Sequence, residues 1–402
     1  MSHSQPRVAF FPDAFHEVDG VATVGRRFQA FTAKHDLPFL MVHSEGRHAA
    51  DSAPSRFRLG LQRSPIKFPL DQAHEFDLLF LRHYRRAAAL LREFQPDLIQ
   101  ITGPSDVGIL GAMLAYRLKI PLAAFWQTNL HQYAGLRAAR ALSILPAGWR
   151  AKAADSAQRW SLLATTRFYR IPKLLFAPNP ELVQMLRRQT GQPCFPMAHA
   201  VDTDVFSPAF RDRQNGPFTL GYVGRLSSEK NVRALALVER ALLQKGITDF
   251  RIVIVGEGAE TGWLRDNLKH AEIRGVLTGR ELSRAFANLD VLLFPSETDT
   301  FGLVVLEALA SGVPAIVTAS GGPKFTVQHG RTGYVADTME ACLPFLARLM
   351  EDAELLASMR KAAREYALSQ SWDHVFTEIY NVYKSWLDPL PFAGTAHRAP
   401  AV

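Results

Sequence analysis

Short apolar runs alternate with longer stretches of helical periodicity from Arg7 onward, in two series that one polar passage separates. The first series predicts strands near 7–11, 37–43, 97–101, 121–126 and 173–177, with helices at 22–34, 76–94 and 106–118 between them. A strand that is followed by a helix and then by another strand closes most readily as a parallel βαβ unit. The passage 207–217, which contains Pro and Gly, interrupts this rhythm and reads as a linker. A second series then predicts strands near 218–223, 251–255, 290–294, 313–317 and 333–336, and helices near 231–245, 260–270, 302–311 and 338–368. The expected fold class is α/β, with two Rossmann-like doubly wound domains and a ligand held at the carboxyl ends of their strands.

At 402 residues and 48% apolar content, the chain is long enough for two such domains. Its two cysteines, Cys194 and Cys342, form no CxxC pair, so a disulfide framework and a cysteine zinc site are unsupported and a reducing, cytoplasmic setting is expected. The N-terminal residues lack the apolar core of a signal peptide, and no run approaches the roughly 18 apolar residues that span a bilayer. Charge is uneven: residues 1–200 hold 25 Lys and Arg against 14 Asp and Glu, whereas residues 201–402 hold 21 against 24. A basic first half suits an anionic membrane surface or an acidic substrate; scattered surface arginines that serve only solubility are the alternative. Nucleic acid is not expected as a partner, because the basic half carries no recognisable motif with interleaved aromatics.

The segment 294–307, Phe-Pro-Ser-Glu-Thr-Asp-Thr-Phe-Gly-Leu-Val-Val-Leu-Glu, runs an apolar strand through an acidic loop into a helix. The amides of Phe301, Gly302 and Leu303, next to Thr300, fall where a helix leaves its first N–H groups unpaired and able to meet phosphate. Asp299 before the helix and Glu307 inside it are eight residues apart and can face one crevice to take hydroxyl groups; a solvated Glu307 is the plainer reading.

A second loop, Gly221-Tyr222-Val223-Gly224-Arg225-Leu226-Ser227-Ser228-Glu229-Lys230, leaves a strand at Gly224 and sets two cations five residues apart. Arg225 offers a fork of donors and Lys230 a point charge, enough to clamp a diphosphate, unless Lys230 merely pairs with Glu229. Gly256 in Val255-Gly256-Glu257-Gly258, and Glu281 and Leu282 after Gly279-Arg280, follow similar strand-to-helix turns. Gly20 in Asp19-Gly20 precedes the first long helix, and Gly321-Gly322 follows the strand near 313–317.

These motifs resemble the retaining glycosyltransferases of family 4, the glycosyl transferases group 1, over about residues 7–385 and most strongly over 219–335. The resemblance implies a GT-B fold, with an N-terminal acceptor-side domain at 1–206, a donor-binding domain at 207–370, and a final helix at 371–386 that returns to the first domain. The tail 389–402, rich in Pro and Ala, is expected to be disordered.

The resemblance also implies transfer of a hexose-type sugar from a UDP- or GDP-linked donor to a lipid or glycan acceptor. Arg225 and Lys230 would hold the diphosphate, Asp299 the sugar and Glu307 the ribose. Gly20, Gly224, Gly256, Glu281, Leu282, Thr300, Phe301, Gly302 and Leu303 would line the nucleotide site. No metal or other cofactor is implied, and Asp202-Thr203-Asp204 matches a segment near the linker rather than a metal-binding pair.

Two departures from the family pattern stand out. Asp299 replaces the usual Glu, and Gln127-Thr128 stands where family members commonly have His-Thr, leaving His131 either to replace that histidine or to serve structurally. A nucleotide-sugar epimerase of the same architecture and a non-catalytic sugar- or nucleotide-binding protein are the alternatives. The expected location is cytoplasmic, with peripheral attachment at the inner membrane face.

Overall fold

The computed structural model describes residues 5–13, 15, 20–45, 49–53, 56–69, 75–129, 147–213 and 215–387. In chain order its strands are β1 (Val8–Phe11), β2 (Phe39–Glu45), β3 (Ala49–Ala53), β4 (Arg56–Gln62), β5 (Lys67–Pro69), β6 (Glu75–Asp77), β7 (Leu98–Ile101), β8 (Leu122–Phe125), β9 (Leu174–Ala177) and β10 (Cys194–Pro196). These are followed by β11 (Phe218–Val223), β12 (Phe250–Val255), β13 (Ala271–Ile273), β14 (Val291–Phe294), β15 (Ala315–Thr318) and β16 (Gly333–Ala336).

One sheet runs β10–β9–β8–β7–β1–β2–β4–β3 and a second runs β13–β12–β11–β14–β15–β16, with β5 and β6 forming a small antiparallel pair. Strand pairing is parallel at β1–β2, β1–β7, β9–β10 and β2–β4 of the first sheet and throughout the second, whereas β3 runs antiparallel to β4. Sequence explains this, because VAFF in β1, LIQI in β7 and VLLF in β14 are buried at every position. Such runs suit only a sheet covered on both faces. The α/β class and its two parallel sheets are therefore those the alternating rhythm implies.

The structure corrects several boundaries. The helix predicted at 76–94 gives way at its start to β6 and a 3₁₀ turn, and the α-helix is Tyr84–Phe94. The long helix predicted at 338–368 is two helices, Leu343–Glu351 and Ala353–Leu368. They part at Asp352, whose extended backbone lets its carboxylate accept from Leu355 N at 2.9 Å. Strands β3, β4, β10 and β13 carry no clean apolar pattern, β4 because Arg56 and Arg58 interrupt it. The tail 389–402 lies outside the described residues.

The chain divides into two compact units, one of residues 1–123 with 373–402, the other of residues 124–372. In the first, the helix Trp372–Leu387 lays Phe376 on Phe28 with ring centroids 4.8 Å apart and planes 13° apart, and Tyr383 Oη donates to Gln100 Oε1 at 2.7 Å. An ion pair joins Lys34 to Asp373. Asp77 is buried, which alone would raise its pKa. The Arg82 guanidinium at 2.7 Å, with Ser64 and the Leu79 amide, instead holds it well below the usual carboxylate range.

In the second unit, Asp290 at the start of β14 accepts from Thr219 N, Arg211 and Arg213 at 2.8, 2.8 and 2.5 Å. That network fastens the described part of the polar passage 207–217 to the second sheet. Loops at the carboxyl ends of β11, β12, β14 and β15 leave the same edge of this sheet, which is where a parallel α/β sheet places a ligand.

Tyr383 and Gln100 are both fully buried. Replacing Tyr383 by Phe strands the Gln100 oxygen and is expected to cost about 1–2 kcal/mol of unfolding free energy in a denaturant titration. No change in that titration would show that the bond contributes nothing.

Candidate active site

The loop between β14 and the helix Leu303–Ala310 carries the acids and the open donors. Gly302 takes φ 83° as it enters that helix, a backbone conformation that a side chain disfavours. Gly322 packs so closely beneath the loop that a Cβ there would lie 1.8 Å from Thr300 O, and its amide donates to Asp299 O at 2.7 Å. Among the described residues, the backbone N–H groups of Phe301, Gly302 and Leu303 make no hydrogen bond. Three amides at a helix entrance with no partner form a ready seat for an anion.

Lys230 Nζ meets Asp299 Oδ1 at 2.5 Å, with both side chains mostly shielded from solvent. Burial pushes the Asp299 pKa up, but the Lys230 charge and hydrogen bond, with Arg225 nearby, hold it below the usual carboxylate value. The Ser296 hydroxyl, buried beside the same carboxylate, also lowers the Asp299 pKa. Lys230 thus pairs across the site, and the carbonyl of its neighbour Glu229 accepts from Thr298 Oγ1 at 3.1 Å. Arg225 is exposed at the end of β11, and its carbonyl accepts from the buried Tyr222 hydroxyl at 2.9 Å.

Glu307 lies one turn inside the helix Leu303–Ala310, and its carboxylate has no partner among the described residues. Burial pushes its pKa up to about 7. Gly224 and Gly256 are joined through their loops: Gly224 N donates to Val255 O at 3.0 Å and Leu226 N to Glu257 O at 2.9 Å. Glu281 and Leu282 occupy the first turn of the helix Gly279–Ala287, the one exposed and the other half-buried, and no hydrogen bond joins them to the Asp299 loop. Gly20 is the exposed first residue of the helix Gly20–Lys34 in the other unit, and His131 lies outside the described residues.

Four further residues meet this loop. Asn179 Nδ2 donates to Thr300 O at 2.8 Å while its Oδ1 caps the helix Pro180–Thr190 by accepting from Leu182 N at 2.9 Å. Thr300 Oγ1 donates to Gln127 O at 2.7 Å, and Asn129 Nδ2 reaches Thr298 O at 3.4 Å. His199 packs its ring on Phe301 at 4.5 Å; burial lowers its pKa to about 3, and its Nδ1 has no partner. The Gln127 side-chain amide is buried with neither its nitrogen nor its oxygen bonded.

Asn179-Pro180 has the ordinary local signature of a helix start. Its second bond spans 121 positions and has no local signature. Among the described residues, no group of three or more His, Cys, Asp or Glu is arranged to hold a metal ion.

The group 1 glycosyltransferase family model matches residues 207–366. A GDP-mannose-dependent alpha-mannosyltransferase of Corynebacterium glutamicum is 30% identical over 305 residues, 73% of this chain and 69% of that protein. Its counterpart in Mycolicibacterium smegmatis is 30% identical over 75% of this chain and 77% of that protein. Sucrose-phosphate synthase from Thermosynechococcus elongatus shares the fold, with a TM-score of 0.73 over 94% of this chain and 98% of that one at 17% identity. The fold is GT-B, and the chain belongs to the group 1 glycosyltransferases. It is an enzyme that takes its sugar from a nucleotide-sugar donor, which sets transfer above epimerisation or binding alone.

Asn179→Ser keeps an acceptor for Leu182 N but cannot reach Thr300, so it separates the helix cap from the loop contact. Expected is a loss in kcat/KM of about 10-fold or more with little change in melting temperature; unchanged kinetics would reduce Asn179 to a cap. Glu307 holds its proton more tightly in the folded chain than its ordinary value of 4.5 allows, so its contribution to stability falls as pH rises from about 4.5 through about 7. Glu307→Gln should therefore stabilise the unliganded protein above about pH 7 and do little below about pH 4.5. A parallel offset at all pH values in thermal melts would contradict this.

Proposed function

We propose that this enzyme transfers a hexose, with retention of anomeric configuration, from a GDP- or UDP-linked donor to a lipid or glycan acceptor. The reading is carried by the Lys230–Asp299 pair set beside the three open amides of Phe301, Gly302 and Leu303. Arg225, Lys230 and those amides neutralise the charge that grows on the leaving diphosphate, the largest electrostatic demand of such a transfer. Asp299 binds sugar hydroxyls, and Glu307 binds the ribose. Gly224, Gly256, Glu281, Leu282 and Thr300 line the nucleotide. The names of the mannosyltransferase relatives favour a GDP-linked donor.

In the step itself, the acceptor hydroxyl oxygen forms a bond to the anomeric carbon as the bond to the diphosphate oxygen breaks. The acceptor proton passes to the departing phosphate on the same face, which needs no protein nucleophile. Two protein cations supply the charge neutralisation, so metal is not required. The reaction is assigned to the cytoplasm, where nucleotide sugars and reduced cysteines coincide.

Calorimetry with GDP, UDP, ADP and their sugars in EDTA tests the donor and the metal independence together. Arg225→Ala is expected to lower kcat/KM by about 100-fold or more with the melting temperature kept. Full activity in that variant would sink the clamp, and binding only in the presence of added metal would sink the metal-independent reading.

A further inference from the structure

The helix Ala147–Phe168 carries three of the large apolar side chains that the described molecule leaves in solvent: Trp149 is 72% exposed, Trp160 69% and Leu163 55%. Trp149 and Trp160 are three turns apart, Leu163 is about one turn beyond Trp160, and Arg167 two turns beyond it, so the four share one side of the helix. The opposite side holds the helix to the molecule near its C-terminal end, where Thr165 and Thr166 are buried and Tyr169 Oη donates to Phe125 O at 2.8 Å.

Charge on this segment is concentrated. Residues 137–188 contain ten Lys and Arg against two acids, a net +8 that equals the net charge of the whole chain. The two acids are already engaged, Asp155 with Arg159 and Glu181 with Lys324. Lys152 and Arg167 are exposed around the two indoles. An apolar stripe of tryptophan and leucine edged by cations matches a bilayer whose headgroups are negative: the rings and the leucine enter the headgroup boundary and the cations meet the phosphates. A nucleic acid would answer the charge but offers Leu163 nothing.

We infer that this face of the helix Ala147–Phe168 docks the enzyme on an anionic lipid bilayer. The inference deepens the lipid-acceptor reading proposed above, since an acyl-linked acceptor is met at such a surface, and it names the residues of contact. No helix among the described residues is long and apolar enough to cross the membrane, so attachment would be reversible.

Flotation of the full chain with vesicles of phosphatidylcholine alone, and with about a third phosphatidylglycerol, tests it. Binding is expected only to the anionic vesicles, weakening about 10-fold or more in Trp160→Ser/Leu163→Ser, and by a similar factor in Lys152→Glu/Arg167→Glu, with melting temperatures kept. No binding by the wild type, or equal binding by the Trp160→Ser/Leu163→Ser variant, overturns it. Retention on single-stranded RNA that matches vesicle binding and ignores the tryptophan change also overturns it. Calorimetric GDP and UDP binding, run on the same samples, separates the two proposals: its loss in the wild type would count against the donor reading and leave the vesicle result standing.

Discussion

A carboxylate removed from water is costly unless a cation and donors meet it, and Asp299 sits under that constraint. Lys230 supplies the cation from the loop after β11, so the carboxyl ends of β11 and β14 are tied to each other by one ion pair. The remaining contacts hold the backbone around it. Gly322 packs under Thr300, Asn179 takes the Thr300 carbonyl, the Gln127 carbonyl takes the Thr300 hydroxyl, and Asn129 takes the Thr298 carbonyl. Asn179, Asn129 and the Gly322 amide use backbone carbonyls of the loop that regular secondary structure would have satisfied. The loop can therefore stay irregular, and Phe301, Gly302 and Leu303 keep their N–H groups free at the helix entrance.

The consequence is a local excess of unsatisfied polarity. Buried side-chain atoms without partners include both amide atoms of Gln127 and His199 Nδ1, in segments that meet this loop. A folded chain seldom leaves such atoms together, because each forfeits the hydrogen bond it had in water. A ligand rich in hydroxyl and phosphate oxygens repairs that deficit, and a nucleotide sugar, the donor class of this family, has both. Under the function proposed above, these same atoms would meet the donor, and stability would be exchanged for function at the site.

How far the sequence reveals this follows from the range of each interaction. The strands VAFF, LIQI and VLLF are legible because burial on both faces leaves a continuous apolar run, whereas RFRLGLQ in β4 is not, since its arginines break the run while its backbone still pairs in parallel with β2. Asp299, Gly302 and Lys230 are legible because loop chemistry at a strand end constrains their types. The pairing of Lys230 with Asp299, 69 positions away, is not, because nothing in the local spacing points to it. Asn179 and His199 escape for the same reason: the cap motif of the one and the burial of the other have ordinary structural readings until the fold brings Thr300 and Phe301 against them.

Gln127 stands where the family resemblance leads one to expect histidine, and the difference bears on protons. A histidine at that position could titrate near neutrality, but an amide keeps the same donor and acceptor capacity at every pH. His199 cannot take over, since burial keeps it neutral down to about pH 3. Asp299 is held ionised by Lys230. Among these loop residues the change of charge near pH 7 then falls on Glu307, which burial places at about 7. A ribose hydroxyl donating to Glu307 favours its carboxylate, so donor binding would release a proton from this one group and tighten as pH rises through about 7.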